Sequence, residues 1–441
     1  MQFQKKIILA VSFTLVSIFN AVSAPNAAPK EDWIETESRL KKIWPNAQIK
    51  NLSKFEGYQT AWEILVPQKV NHQDPNSSIF YQRIYIDHKG LKSPNVLVTE
   101  GYQINHRIHE PSKMLDANQI TVEYRYCGQS VPTNMDWTYL NHTQAMLDFY
   151  KIQSDLKKIY KKKWIVTGVS KGGTTAAIYK IQYPKSVKAA MAYVAPFPLA
   201  QEDPRTIYHY RKVAGTADCR KEVFEFQKRI LQNKNQLIPL IENLAKQEEV
   251  EFPLGIESTI EYCALEYPFS FWQWGANCTE IPNKEANAVD IFNHLEEIVD
   301  INFYDDKTFE KFKPAFYQFM TEFGYYGFDT VGLSHLLKVE KNPSNLVFCP
   351  ADASILYNPS YMIRIASKAR THGQKILYVY GALDTWTSCG IQPDKKLKAL
   401  RLDLAGGGHR TKIRDFPIEQ KSLAVSTLKK WTGIKNIQLT Q

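Results

Sequence analysis

The chain has 441 residues, of which 44% are hydrophobic and 23% charged, and it carries a formal net charge of +10. That length and composition allow a large hydrophobic core and an added second domain. The charge favours solubility and weak attraction to anionic surfaces. It does not indicate nucleic-acid binding, because the densest basic run, at 157–163, precedes a strand-like run and fits a solvated helix end and turn.

The N-terminus predicts an exported protein. Two lysines precede an apolar run from Ile7 to Phe19, and small residues follow at 22–24. This pattern is typical of a signal peptide over residues 1–24. Cleavage after Ser23 is the alternative, because Pro25 is awkward beside the first site. The run is too short to span a bilayer comfortably, so we expect no stable membrane insertion and a periplasmic or extracellular protein.

The first part of the mature chain, from residue 25 to 198, alternates strand-like and helical stretches. Residues 81–86 and 94–99 are predicted strands, and residues 141–160 are a predicted helix. Alternation of this kind indicates a mostly parallel sheet and therefore an α/β fold.

Residues 164–177 predict a nucleophile elbow. A buried-strand run leads into Gly168-Val-Ser170-Lys-Gly172, and small residues then open a helix. The turn is so tight that a Cβ at either glycine would collide, which leaves the Ser170 hydroxyl exposed at its apex. The helix N-terminus would direct its free N–H groups and positive dipole end toward an oxyanion beside Ser170.

The oxyanion hole needs a second donor from the loop after an earlier strand. Glu-Gly101-Tyr102 follows the strand at 94–99, and glycine lets the backbone turn an N–H toward the reaction centre. We therefore expect the main-chain N–H of Gly101 or Tyr102 to act beside that of Lys171.

Between residues 199 and 345 the apolar residues recur at helical spacing. This segment predicts a helical cap, inserted between nucleophile and acid, that would cover Ser170. It is rich in aromatic residues, most of which we expect to pack the helices together, with two or three left to line an apolar pocket.

The third part of the mature chain, residues 346–441, returns to strand and helix alternation and carries the other two members of a catalytic triad. Asp384 lies just past a buried-strand run at 375–380, and His409 lies in a glycine-rich loop after a predicted strand at 400–404. The order nucleophile, acid, histidine is that of α/β-hydrolases. Ser170, Asp384 and His409 are therefore the predicted triad.

Four segments carry a resemblance to a known family. The elbow Gly-Val-Ser-Lys-Gly-Gly-Thr-Thr-Ala with the downstream Tyr-Pro-Lys-Ser-Val-Lys-Ala-Ala-Met-Ala-Tyr-Val-Ala-Pro, residues 121–130, residues 320–327 and Gly-Ala-Leu-Asp-Thr-Trp at 381–386 resemble the secreted bacterial tripeptidyl and prolyl aminopeptidases. They are also similar to the more distant lysosomal prolyl carboxypeptidase and dipeptidyl peptidase group. The resemblance implies an α/β-hydrolase core with a helical cap, and release of tripeptides or dipeptides, often next to proline, from free N-termini. Relatives usually have Asp-Pro-Trp where this chain has Asp384-Thr385-Trp386, which leaves the cleavage preference open.

An enzyme that cuts from a free N-terminus must bind an ammonium group, and a buried carboxylate would do so. Glu100, beside the oxyanion loop, and Glu322, in the cap, are the two predicted anchors; each has the alternative of an ordinary structural role. Trp386, next to the predicted acid, is the predicted wall of the substrate pocket.

Six cysteines in an exported chain indicate disulfides, and we favour the local pair Cys263–Cys278 among fifteen possible pairings. No spacing suggests a metal site, and we expect no cofactor. An esterase or lipase with the same triad is the alternative function, distinguished by the lack of an amine anchor. A noncatalytic binding protein on a hydrolase scaffold is disfavoured because all three triad residues are present.

Overall fold

The computed structural model describes residues 32–439. The signal peptide predicted for 1–24 lies outside the described residues. The described residues form eleven strands: β1 Gln48–Leu52, β2 Thr60–Lys69, β3 Ile79–His88, β4 Asn95–Thr99, β5 Asn118–Val122, β6 Trp164–Val169, β7 Ala190–Tyr193, β8 Glu202–Asp203, β9 Tyr325–Tyr326, β10 Ile376–Gly381 and β11 Leu400–Leu404.

Twelve α-helices accompany the strands in the described residues: α1 Trp33–Ile43, α2 Glu110–Met114, α3 His142–Leu156, α4 Lys171–Gln182, α5 Pro204–Tyr208, α6 Ala217–Gln232, α7 Lys234–Glu248, α8 Ile256–Trp274, α9 Ala288–Val299, α10 Asp306–Gln318, α11 Ser360–Thr371 and α12 Ile418–Thr432. None of the helices within 32–439 is long and apolar enough to cross a membrane.

Nine of the strands form one sheet in the order β1-β2-β3-β5-β4-β6-β7-β10-β11. The pairs from β1 to β5 along this order are antiparallel, and all pairs from β5 to β11 are parallel. The parallel part has both faces buried, since alternate residues of β10 belong to different core clusters: Tyr378 and Tyr380 to one, Leu377 and Val379 to the other. This arrangement, a mostly parallel sheet covered on two sides, confirms the predicted α/β fold.

The predicted elements differ from the observed ones mainly at their ends. β3 extends two residues beyond 81–86 at each end. α3 begins at His142, because the Asn141 side chain caps it by accepting a hydrogen bond from the Gln144 N–H, and it ends at Leu156 rather than at residue 160. β11 has the predicted bounds.

Between β7 and β10 the chain is largely helical and includes α5 to α10. The short strands β8 and β9 pair in parallel near the two ends of this stretch. The division into core segments 25–198 and 346–441 with a cap at 199–345 stays a prediction.

The predicted disulfide Cys263–Cys278 is wrong. Cys278 is bonded to Cys219, and Cys263 is a free, buried thiol within α8. The reason is helix geometry: α8 continues from Cys263 to Trp274, a rise of roughly 16 Å that carries the chain away from Cys263 before it reaches Cys278, whereas a disulfide needs Cα atoms about 4.4–6.8 Å apart.

The disulfide leads to a prediction about thiol counts. In denaturant without reductant, four thiols should alkylate, those of Cys127, Cys263, Cys349 and Cys389, and two more only after reduction. Cys278→Ser should free the Cys219 thiol and lower the free energy of unfolding by about 2–4 kcal/mol. Cys263→Ser is the control, because it removes one thiol and leaves the disulfide intact. Intact-mass measurement counts the thiols, and six alkylated thiols without reductant would contradict the assignment.

Candidate active site

Ser170 lies at the apex of a tight turn between β6 and α4. Its backbone has φ 58° and ψ −130°, a left-handed conformation that costs a non-glycine residue about 1–3 kcal/mol. A Cβ at Gly168 would lie 2.1 Å from the Gly172 carbonyl oxygen, and one at Gly172 would lie 2.6 Å from the Thr99 carbonyl oxygen. Both glycines are therefore required where the turn approaches β4.

Asp384 and His409 form a hydrogen-bonded pair at the carboxyl edge of the sheet. Asp384 is fully buried three residues past β10, and its Oδ2 lies 2.7 Å from His409 Nδ1. Its other oxygen accepts the Trp386 backbone N–H at 3.1 Å. Because a carboxylate can only accept, Nδ1 carries the proton, and Nε2 is the basic nitrogen of the ring.

The loop that carries His409 is fixed by close backbone contacts. The His409 N–H donates to the Gln273 carbonyl oxygen at 2.6 Å, and the imidazole lies edge-on to the Trp274 ring with centroids 6.0 Å apart. A Cβ at Gly381 would lie 2.4 Å from the Gly407 carbonyl oxygen, so the glycine-rich loop passes directly over the end of β10.

Ser170 and His409 do not hydrogen-bond within the described residues. Both lie at the same sheet edge, after β6 and β11. Catalytic hydrogen bonds are often long in enzymes without substrate and shorten in the complex. The arrangement can therefore support nucleophilic catalysis once Ser170 Oγ and the imidazole come into contact.

Two backbone N–H groups beside Ser170 are free to bind an oxyanion. Those of Lys171 and Tyr102 donate no hydrogen bond within residues 32–439. Gly101 packs against the start of α4 so closely that a Cβ there would lie 2.7 Å from Lys171 Cβ. The two segments that carry the predicted donors therefore contact each other next to Ser170.

The Lys171 side chain braces this region from within the core. It is buried, its Nζ donates to the Gly101 carbonyl oxygen at 2.9 Å, and Nζ lies 3.4 Å from the centroid of the Tyr124 ring. Burial lowers the pKa of Lys171 to about 7. The hydrogen bond fixes the orientation of the peptide between Gly101 and Tyr102, and with it the Tyr102 N–H.

We expect Lys171→Met to lower kcat by roughly 10- to 100-fold, the effect of losing about 1.5–3 kcal/mol from a charged hydrogen bond. In the unsubstituted protein the Lys171 ammonium group bonded to the Gly101 carbonyl is charged below about pH 7 and neutral above it, so its contribution to kcat should decline as the pH rises. The variant should lack that decline. Lys180→Met is the matched control, because Lys180 is another buried lysine of α4 and donates to the Pro184 and Val187 carbonyls. Equal kcat–pH profiles for the unsubstituted protein, Lys171→Met and Lys180→Met would show that the Lys171 side chain contributes to packing and not to catalysis.

A cavity of about 180 Å³, the Ser170 cavity, has Ser170 on its wall. Aromatic rings dominate its wall, namely those of Tyr102, Trp274, Phe303, Phe319, Phe323, Tyr325, Tyr326 and Trp386. Trp386 is held by its bond to Asp384 and by edge contact with Phe269 at 5.1 Å between centroids. The site therefore has an apolar wall directly beside the acid.

Two carboxylates interrupt that wall, those of Glu266 on α8 and Asp300. Glu266 is 8% exposed and accepts hydrogen bonds from the hydroxyls of Ser270 and Tyr304. It has no ion pair with Lys, Arg or His in the described part of the chain. Burial is the main cause of its raised pKa. Glu266 is therefore a buried acid on the wall of the Ser170 cavity with no cationic partner in the described residues.

Neither predicted amine anchor lines the Ser170 cavity. Glu322 accepts hydrogen bonds from the backbone N–H and Nδ1 of His142, which lower its pKa, and it lines a different cavity beside Tyr361. Glu100 lies 3.4 Å from His109, and burial raises its pKa to about 7. Sequence reasoning missed Glu266, although one signal was available: it is an acid within the aromatic run that forms α8, a helix buried over 258–272.

The comparison with known proteins identifies the family. Residues 28–441 match the model of the PS-10 peptidase S37 family. The chain belongs to this family. It is 28% identical to a prolyl tri/tetrapeptidyl aminopeptidase of Streptomyces mobaraensis over 426 residues, which cover 94% of this chain and 88% of that protein. This S37 peptidase also resembles the proline iminopeptidase structure of Mycobacterium smegmatis, with 11% identity and a TM-score of 0.38 over 83% of this chain and 98% of the other.

Membership of the S37 family confirms the resemblance found in the sequence and establishes that the chain is a serine-type peptidase, a hydrolase that acts on peptides. The topology agrees, because it is the mostly parallel sheet and nucleophile elbow of an α/β-hydrolase.

Proposed function

We propose that this peptidase is an exported aminopeptidase that releases tripeptides or dipeptides, cut after proline, from free N-termini. The observation that carries the proposal is Glu266, a buried carboxylate without a cationic partner in the described residues, on the wall of the cavity that Ser170 also lines. The name of the Streptomyces mobaraensis relative, a prolyl tri/tetrapeptidyl aminopeptidase, supports cleavage at proline and the release of tripeptides.

In the proposed mechanism, Ser170 Oγ attacks the scissile carbonyl while His409 Nε2 takes its proton. Asp384 holds the imidazole in the required tautomer and stabilises the imidazolium. The oxyanion is bound by the N–H groups of Lys171 and Tyr102. His409 then donates the proton to the leaving amine, and a water molecule, activated by the same imidazole, hydrolyses the acyl-enzyme.

Glu266 is suited to bind the substrate's ammonium group. Its hydroxyl partners donate hydrogen bonds to the ionised form but supply no opposite charge. An ammonium ion would provide that charge, and in a site of low dielectric the attraction is stronger than in water. The distance between this anchor and the nucleophile would then set how many residues precede the cut.

The aromatic wall is suited to a prolyl ring. Phe319 and Tyr325 are stacked with centroids 4.3 Å apart, and Tyr325 lies 5.4 Å from Trp386. A rigid, apolar five-membered ring loses little conformational entropy on binding such a surface. A long acyl chain is less suited, because it would place apolar atoms against the Glu266 carboxylate. This favours the peptidase over the esterase alternative.

Glu266→Gln tests the anchor. The unsubstituted enzyme should cleave Ala-Ala-Pro nitroanilide with a free N-terminus far faster than its acetylated form, since leaving a buried charge unpaired costs about 2–5 kcal/mol. The variant should lose this preference and still hydrolyse small activated esters. Glu100→Gln and Glu322→Gln are matched controls, each removing one of the other predicted anchors. If Glu100→Gln or Glu322→Gln lost the preference for a free N-terminus while Glu266→Gln kept it, the anchor would be the glutamate replaced in that control.

Export is part of the proposal. The sequence of residues 1–24 and the Cys219–Cys278 disulfide both support an oxidising compartment. N-terminal sequencing of the protein recovered from its native host should give a first residue near Ala24 or Pro25, and a chain that retains Met1 would argue against export.

A further inference from the structure

A second, larger cavity of about 730 Å³ lies beside the catalytic histidine. We name it the His409 cavity; its wall includes His409, Val169 and Trp274. Trp274 is also on the wall of the Ser170 cavity, so the two cavities share this side chain. Val169 immediately precedes the nucleophile, which places this space next to the elbow.

The wall of the His409 cavity is strongly basic. Five cationic side chains line it, those of Arg107, Lys113, Arg410, Lys412 and Arg414. The one acid on the wall, Glu110, is engaged by the Tyr193 hydroxyl and the backbone N–H groups of Ile413 and Arg414.

Three of these cations have no carboxylate within salt-bridge distance in the described part of the chain. Arg107 lies 3.9 Å from Glu100 and Arg414 lies 3.7 Å from Asp415, whereas Lys113, Arg410 and Lys412 form no salt bridge among residues 32–439.

Two of these three cations follow His409 within three residues of chain, and each lies over an aromatic ring. The Arg410 guanidinium follows His409 directly and lies 5.1 Å from the centroid of the Trp274 ring, a cation–π contact that orients it. Lys412 lies over the Tyr193 ring, and burial is the main cause of its lowered pKa, an effect that the Glu110 and Asp415 carboxylates partly oppose. A bound carboxylate would supply a partner for Arg410, which can bind it through two parallel hydrogen bonds, and it would also be attracted by the Lys412 ammonium group.

The chemistry of the reaction gives this cavity a role. The imidazole that takes the proton from Ser170 later donates it to the leaving amine, so the leaving peptide must lie on the histidine side of the scissile bond. The Ser170 cavity, with Glu266, holds the N-terminal part in the proposed function. The space beside His409 is then where the rest of the substrate extends.

We propose that the His409 cavity binds the part of the substrate that follows the scissile bond, and that its cations select peptides with acidic side chains there. The inference rests on the proposed aminopeptidase activity and deepens it. It assigns a preference for negative charge to the residues that follow the scissile bond. This preference is separate from the requirements for a free ammonium group and a proline in the residues that precede the bond.

The test compares three peptides with the same free N-terminal Ala-Ala-Pro and amidated C-termini, followed by Asp-Asp-Ala, Asn-Asn-Ala or Lys-Lys-Ala. We expect kcat/KM for the acidic peptide to exceed that for the neutral one by roughly 5- to 10-fold, and the basic peptide to be poorest. The ratio of acidic to neutral should fall with rising salt concentration.

Variants assign the effect to the cavity. The acidic-to-neutral ratio should approach one in Arg410→Gln combined with Lys412→Met. Lys161→Gln is the control, because Lys161 is an exposed lysine outside the cavity wall, and it should keep the full ratio. Each ratio is taken within one protein, so general losses of activity cancel.

The possible failures are distinguishable. If Ala-Ala-Pro nitroanilide is not cleaved at all, the proposed function is wrong. If it is cleaved but the unsubstituted enzyme shows equal kcat/KM for acidic and neutral peptides, the function stands and this inference is overturned. A ratio that survives the double substitution would also overturn it, because the selectivity would then arise elsewhere.

Discussion

Replacing Ser170 by alanine is expected to lower peptide hydrolysis by roughly 10⁶-fold, the loss seen when the nucleophile of a Ser-His-Asp triad is removed. No other hydroxyl occupies the apex of the elbow, where the strained backbone presents the side chain to the cavity. Fluorophosphonate labelling followed by peptide mapping should place the adduct on Ser170 alone. Activity retained by the alanine variant, with label on another serine, would show that the nucleophile lies elsewhere.

Folding should be unaffected by this change. Ser170 Oγ makes no hydrogen bond within the described residues, so alanine leaves no buried partner unsatisfied. Ser170→Gly is the matched second variant: it should be equally inactive yet more stable by about 1 kcal/mol or more, because glycine adopts positive φ without strain. Thermal unfolding of the three proteins measures the difference and separates loss of chemistry from loss of structure.

The sequence predicted best what is encoded locally. The elbow needs its two glycines within five residues of chain, and the acid and histidine follow strands whose apolar runs are plain in the sequence. The carboxyl ends of parallel strands meet at one edge, so placing Asp384 and His409 after strands was enough to bring them together.

What the sequence did not predict depends on contacts between distant segments. The chain around Glu322 predicts an amine anchor, but its carboxylate accepts a hydrogen bond from His142, 180 residues away. Glu266 lines the Ser170 cavity because α8 forms part of the cavity wall. The disulfide partner of Cys278 depends on how far α8 extends beyond Cys263. The local sequence does not specify such distances between segments.

Asp384→Asn should lower kcat by about 10⁴-fold while the fold is retained. An asparagine can still accept the Trp386 N–H, but if its amide nitrogen faces His409 it donates to Nδ1 and moves the imidazole proton to Nε2, which then cannot accept the proton of Ser170. His409→Ala should cause a comparable or larger loss of kcat.

His209→Ala is the control for this prediction, since His209 is another buried histidine whose charge interacts with Asp384. Steady-state kinetics with Ala-Ala-Pro nitroanilide measures the effect of each substitution. Because Asp384 contacts His409 at 2.7 Å, we expect the His409 variant to be inactive and the His209 variant to be active. An inactive His209 variant together with an active His409 variant would assign the base to His209.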